Sequence, residues 1–415
     1  MSRVYFDWAS SAEIEYFGGN KPPKACESWN GTHYPFGNPS SKHSEGRIAN
    51  DALTKARIAC AEALGVGPQT IYFTSGGTES NNIIIFSALQ HFADAGIKKT
   101  IFTSEAEHPS VLENCKTLQK FGFPLHYVPL NECGAVDADT LLRSVYGCAG
   151  DADDGVGSGS AIKSSFISLM AVNNETGSIS DIKGLADALR AVYGNRTFFH
   201  SDIVQAIGKV TVDLKTWDID AVSISGHKIG APRGIGLLYL KKPIIPLCKG
   251  GSQENGIRGG TQNTAGAIEL SRRLTYALSE FDGNYCGACK RMGFLQDALR
   301  TIKRCRILPQ ARLEIKGNYG ETGIYGENRF SPYILQVAFE NLPGEVMQRL
   351  LDDAGFAVST GSACSQNSTK RPVLFAMGIN EKDALNGIRI SQGFGTRQDE
   401  VEDLICAIKK ILEKY

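Results

Sequence analysis

Ser223-Ile224-Ser225-Gly226-His227-Lys228, followed by the glycine-rich Gly230-Ala231-Pro232-Arg233-Gly234, is the stretch on which the reading of this chain turns. Val222-Ser223-Ile224 reads as a strand, so Lys228 falls just past its carboxyl end. Ile235–Tyr239 reads as the next strand downstream. Upstream lie Phe198–His200, Phe166–Met170, His126–Val128, Thr100–Thr103 and Ile71–Thr74, each a short apolar run. Amphipathic stretches separate several of them, such as Ile182–Val192 with apolar residues at helical spacing. This alternation predicts an α/β domain with a mostly parallel sheet. Ligands of such sheets sit in the loops at the carboxyl ends of the strands, which is where Lys228 falls.

After about Gly266 the pattern changes. Two helical stretches lead to a turn-rich segment, 316–331, then to short strands and a final helix expected over Gln398–Tyr415. The division expected is a large domain over 15–265 and a smaller α+β domain from 1–14 and 266–415. The Gly-, Asp- and Ser-rich stretch 149–160 reads as a surface insertion.

The 415 residues carry 44 Lys+Arg against 44 Asp+Glu, a balance that argues against a nucleic-acid or membrane-surface binder. No apolar run has signal-peptide or membrane-spanning character. Eleven cysteines without regular spacing read as free thiols of a cytoplasmic protein with a small-molecule substrate.

A lysine forms a Schiff base only as a neutral amine, and a cleft at a strand end can supply the desolvation that requires. Alone, Lys228 would read as an ordinary solvated lysine; its neighbours reverse that. Phe73-Thr74-Ser75-Gly76-Gly77-Thr78-Glu79-Ser80-Asn81-Asn82 runs from a strand into a helix, where glycines, free N–H groups and the Thr78 hydroxyl suit a simple phosphate. The segment fits neither a Walker A loop nor a dinucleotide fingerprint. His200-Ser201-Asp202-Ile203-Val204-Gln205 ends another strand with an acid that could keep a pyridine nitrogen protonated. Glu107-His108-Pro109-Ser110 places an imidazole after a third strand, where it could stack on a ring. Lysine, phosphate cradle, acid and imidazole together point to pyridoxal 5′-phosphate (PLP).

Phe36-Gly37-Asn38-Pro39-Ser40-Ser41 with His43, the Ser75–Asn82 run, Glu107–Val111, Asn173-Asn174-Glu175, Asp202 with Gln205, Ser225–Lys228 and Gly361-Ser362-Ala363-Cys364 occur in this order. Together they resemble the NifS/IscS-type (group I) cysteine desulfurases of the class V aminotransferases. The resemblance implies PLP fold type I and a homodimer. It implies that Lys228 is the Schiff-base lysine, His108 the ring-stacking acid/base, Asp202 the partner of the ring nitrogen and Gln205 that of the 3′-oxygen, with Val204 beneath the ring. Gly77, Thr78, Ser225 and His227 would hold the phosphate, and Thr261 would reach that of the neighbouring subunit. Asn174 and Arg389 would bind the substrate carboxylate, a natural task for a guanidinium fork. Asn174 is also expected at the cofactor.

By the same resemblance, Cys364 would take the sulfur of L-cysteine as a persulfide, leaving L-alanine, and hand it to a sulfur-acceptor or scaffold protein for iron–sulfur cluster or thio-cofactor synthesis. Its small, polar surroundings, Ser359 to Ser368, suit a thiolate that must visit both substrate and acceptor. The chain departs from the family's usual residues at Trp8-Ala9-Ser10, Gly260, Gln262, Gln366–Arg371, Gln392 and Phe394. Two alternatives stay open: a selenocysteine lyase or related β-lyase of this fold, and a PLP-bound scaffold of weak activity. Cys286 and Cys289 form a CxxC without a second pair, so no metal is expected.

Overall fold

The computed structural model describes residues 3–12, 34–93, 100–147, 165–313, 329–361 and 371–415. It opens on β1 (Val4–Tyr5). Seven strands then form one sheet: β2 (Ile71–Thr74), β3 (Thr100–Thr103), β4 (Leu125–Tyr127), β5 (Ser165–Ser168), β6 (Thr197–Asp202), β7 (Ala221–Ser225) and β8 (Gly236–Leu240). Their spatial order is β2-β8-β7-β6-β5-β3-β4. Neighbours from β7 to β4 pair in parallel, and β8 runs antiparallel to β7 and β2. The expected mostly parallel sheet is therefore present. β2, β5, β7 and β8 are buried throughout, as strands covered on both faces must be.

Helices α1 (Ser44–Leu64), α2 (Gly77–Ala93), α3 (Pro109–Lys120), α4 (Ala138–Gly147) and α5 (Ile182–Tyr193) accompany this sheet. In α5 the carboxylate of Asp181 accepts from the N–H of Gly184, which caps the first turn. Ile182, Leu185, Ala186, Leu189 and Tyr193 form its buried stripe. Truncating a core leucine such as Leu189 to alanine would cost about 2–5 kcal/mol. The helix runs one residue beyond the expected Ile182–Val192.

β5 stops two residues short of the expected end at Met170. Beyond β5 the chain still bonds β6 through the Leu169 and Ala171 N–H groups, but the Met170 N–H between them donates to Oε1 of Glu107 at 2.8 Å. β6 instead continues to Asp202, which pairs with Ser223.

Spanning the expected boundary at 266, α6 (Thr264–Ser279) lies against α1, and its Ala267, Leu270 and Leu274 belong to the core of the large sheet. α7 (Phe281–Arg300) and the C-terminal helix Gln398–Lys414 cover a second, antiparallel sheet. It consists of β9 (Cys305–Leu308), β10 (Ile334–Phe339) and β12 (Gly387–Ser391), while β11 (Phe356–Ala357) pairs with β1. Leu299, Val337, Phe339, Ile390 and Ile408 fill a separate core here, joined by Phe6 from the start of the chain. Segment 149–160 and most of 316–331 lie outside the described residues. Among the described residues no helix is long and apolar enough to cross a membrane.

Candidate active site

The ends of β7, β6 and β3, with β5 between the last two, supply the centre of the site. Lys228 follows β7 in the short turn Gly226–Lys228, where the chain reverses tightly. A Cβ at Gly226 would meet the Ile235 carbonyl oxygen at 3.0 Å and Cβ of Ala231 at 3.1 Å, so a larger residue here would press on the backbone leading into β8. The Lys228 Nζ donates to the carbonyl oxygens of Ala9 and Ser10, at 2.5 and 2.7 Å. The N-terminal segment thus crosses directly over the lysine.

Asp202 ends β6 and His108 caps α3 after β3. They are joined by a polar chain. The Asn81 Nδ2 donates to Oδ2 of Asp202 and to Oγ of Ser110, each at 2.8 Å, and that Oγ lies 2.7 Å from Nδ1 of His108. The Ser110 N–H also donates to His108 Nδ1, which leaves the proton of a neutral ring on Nε2. Burial holds this imidazole below its usual range; the charge of Asp202 pulls it up and Lys228 pushes it down. The second Asp202 oxygen accepts from the Val204 N–H at 3.0 Å.

The expected phosphate groups lie beside this centre. Gly77 opens α2, and a Cβ there would meet Cγ2 of Val204 at 2.8 Å and Cβ of Ser225 at 3.5 Å. Bare backbone at Gly77 therefore brings the helix N-terminus against Val204 and Ser225, with Thr78 exposed in the first turn. The Ser225 hydroxyl lies 2.8 Å from Nδ1 of His227, whose pKa falls to about 4, through burial first and then the nearby cations. Such a set of N–H and hydroxyl donors at a helix N-terminus can hold a phosphate, and Asp202 can serve a pyridinium nitrogen. The residues present fit PLP.

Thr261 stands apart. Its carbonyl accepts from Arg258, which pairs with Glu79 of α2, and no hydrogen bond among the described residues joins it to the Lys228 cluster. Gln205 is turned inward, its Nε2 donating to Ala9 O at 2.8 Å. Arg389 is 2 % exposed. It donates to the Asn174 carbonyl at 2.8 Å, and the carboxylate beside it is that of Asp7, 2.7 Å away. Cys364 lies outside the described residues.

Several participants carried no role in the sequence reading. Asn81 and Ser110 link the acid to the imidazole. Burial raises the Glu107 carboxyl to about 8, with the charge of Asp202 adding and the Met170 N–H and Ser104 hydroxyl opposing. Lys209 is buried behind Gln205. The departures at the two chain ends come close: the Trp8 ring lies on Gly393, the residue between Gln392 and Phe394 in the chain, where a Cβ would come within 2.1 Å of it. The Gln392 side chain accepts from Arg291 and donates to the carbonyls of Ala288 and Pro332. Cys286 and Cys289 sit on α7, and burial pushes the Cys289 thiol up to about 11.

Residues 19–404 match the family model described as aminotransferase class-V. The cysteine desulfurase IscS of Methanosarcina thermophila is 33% identical over 382 residues, spanning 91% of this chain and 86% of that protein. The IscS of Dictyoglomus turgidum is 33% identical over 99% of this chain and 95% of its own length. Among solved structures, a NifS-like protein superposes with a TM-score of 0.80 at 30% identity, covering all of both chains. SspA in complex with cysteine superposes at 0.68, with 26% identity over 94% of this chain and 98% of that one. The chain belongs to the class-V aminotransferase family of PLP-dependent enzymes, and within it to the NifS/IscS-type cysteine desulfurases.

Proposed function

We propose that this protein is a PLP-dependent cysteine desulfurase that takes L-cysteine, releases L-alanine and retains the sulfur as a persulfide on Cys364. The observation that carries the reading is the convergence of Lys228, His108 and Asp202 at the carboxyl ends of β7, β3 and β6. PLP, when bound, supplies an electron sink next to the substrate's α-carbon.

The chain's own residues supply the rest. Asp202, braced by Asn81 and the Val204 N–H, would hold the ring nitrogen's proton, and Gln205 would donate to the 3′-oxygen. Gly77, Thr78, Ser225 and His227 would bind the phosphate, with Thr261 contributed by a second copy of the chain and Val204 beneath the ring. Lys228, freed by the incoming amine, would move protons at the substrate's carbons. His108, with its proton on Nε2, is suited to stack on the ring and pass a proton. Arg389 with Asn174 would fix the substrate carboxylate. Cys364 as thiolate attacks the substrate sulfur: the carbon–sulfur bond breaks, a sulfur–sulfur bond forms, and the carbon takes a proton to leave alanine.

The same reading divides the chain into a cofactor domain over 15–265 and a smaller domain from 1–14 and 266–415, with α6 packed on the larger one. It makes the working form a cytoplasmic homodimer. The sulfur then passes to an acceptor or scaffold for iron–sulfur cluster or thio-cofactor assembly. The test is alanine and sulfide release from L-cysteine and a thiol reductant by PLP-loaded protein. Both products are expected from the parent and neither from Lys228→Ala; a parent that makes no alanine would refute the reading.

A further inference from the structure

Lys209 is a buried amine that the proposed reaction does not use. It is 3 % exposed, and its Nζ lies 3.4 Å from Oε1 of Gln205. The other end of that carboxamide, Nε2, donates to Ala9 O, the same carbonyl that receives Lys228 Nζ. A lysine ammonium offers only donors toward an amide, so the charged Nζ selects the oxygen of Gln205 and turns Nε2 toward Lys228. Lys209 and Lys228 also line one small cavity, walled by Trp8, Gly393 and Phe394.

The surroundings are unusual for a structural lysine. Burial, then the positive charges of Lys228 and Arg389, push its pKa down to about 7. The charged and titratable groups gathered around the two lysines are His108, Asp202, His227, Arg233 and Arg389. Lys209 thus meets an amide and two cations where a buried lysine ordinarily meets a carboxylate. Packing alone would be served better by methionine.

We propose that Lys209 is a positioning residue for the cofactor: it locks the Gln205 carboxamide with its donor end toward Lys228, and its charge opposes protonation of the linkage between Lys228 and PLP. This rests on the PLP reading above. Once Lys228 is tied to PLP, it no longer stands as an ammonium against Lys209, and the two nitrogens compete for one proton. An unprotonated linkage can accept the proton of the incoming α-ammonium group, which leaves the amine free to attack.

The test is a pH titration of the linkage's visible absorption band in substrate-free holoenzyme. In Lys209→Met the midpoint should rise by on the order of one pH unit, because a neighbouring cation is lost. Lys209→Gln, which keeps a donor for Gln205 but not the charge, should rise as well and serves if the methionine variant does not load PLP. A midpoint equal to the parent's in either loaded variant overturns the inference while leaving the PLP reading intact. A parent without a Lys228-dependent band overturns both.

Discussion

The Oδ1 of Asp7 lies 2.7 Å from Nη2 of Arg389, so the guanidinium expected to receive the substrate's carboxylate already faces one from the N-terminal segment. Ser10 Oγ donates no charge to this contact but sits 2.6 Å from the same nitrogen. An incoming amino acid must share or displace this partner.

Asp7→Asn should therefore lower KM for L-cysteine by roughly fivefold, equivalent to about 1 kcal/mol. The buried guanidinium loses its counter-charge, so the folded protein should lose about 1–3 kcal/mol. Steady-state kinetics and denaturant melts read the two effects separately. A higher KM would mean that Asp7 orients Arg389 for the substrate rather than competing with it.

Gly77→Ala places a methyl group against Cγ2 of Val204, 2.8 Å away. Relief requires moving either Val204 or the N-terminus of α2, and overpacking of this kind is costly. The dissociation constant for PLP should rise about tenfold, or about 1.4 kcal/mol. Adding Val204→Ala makes room and should restore most of the affinity. Unchanged PLP binding in the single variant would remove Gly77 from the phosphate cradle.

Glu107 gives a pH signature. Its folded pKa of about 8 stands above the ordinary carboxyl value of about 4.3 expected of the unfolded chain. Between these values the folded state holds a proton that the unfolded state has released. Its stabilising effect is complete below about pH 4.3 and declines as the pH rises toward 8, by up to about 1.4 kcal/mol per pH unit. Glu107→Gln mimics the protonated acid, so its Tm should exceed the parent's by a margin that widens from pH 5 to pH 8. His200, held down to about 3 by burial, titrates alike in both proteins. A margin that stays constant would contradict a protonated Glu107.

Much of the scaffold could be read from the chain. β2 and β3 have their expected bounds because each is a four-residue β-branched and aromatic run closed by a turn. Lys228, Asp202 and His108 were identifiable because a parallel sheet places its ligands at strand ends. What escaped depends on contacts between distant residues. Asn81 reaches Ser110 and Asp202 from 29 and 121 positions away. Asp7 meets Arg389 across 382 positions. The Met170 amide just past β5 goes to Glu107, 63 positions earlier in the chain. Lys209, after Gly208, looks like an exposed loop lysine until the fold closes over it.

The most direct test of the central claim is a single turnover of PLP-loaded protein with L-cysteine and no reductant, followed by peptide mass analysis. One added sulfur atom on Cys364, matched by one alanine released per chain and absent from Lys228→Ala, is the expected result. Alanine release with no sulfur on Cys364, or no alanine at all from the loaded parent, would contradict it.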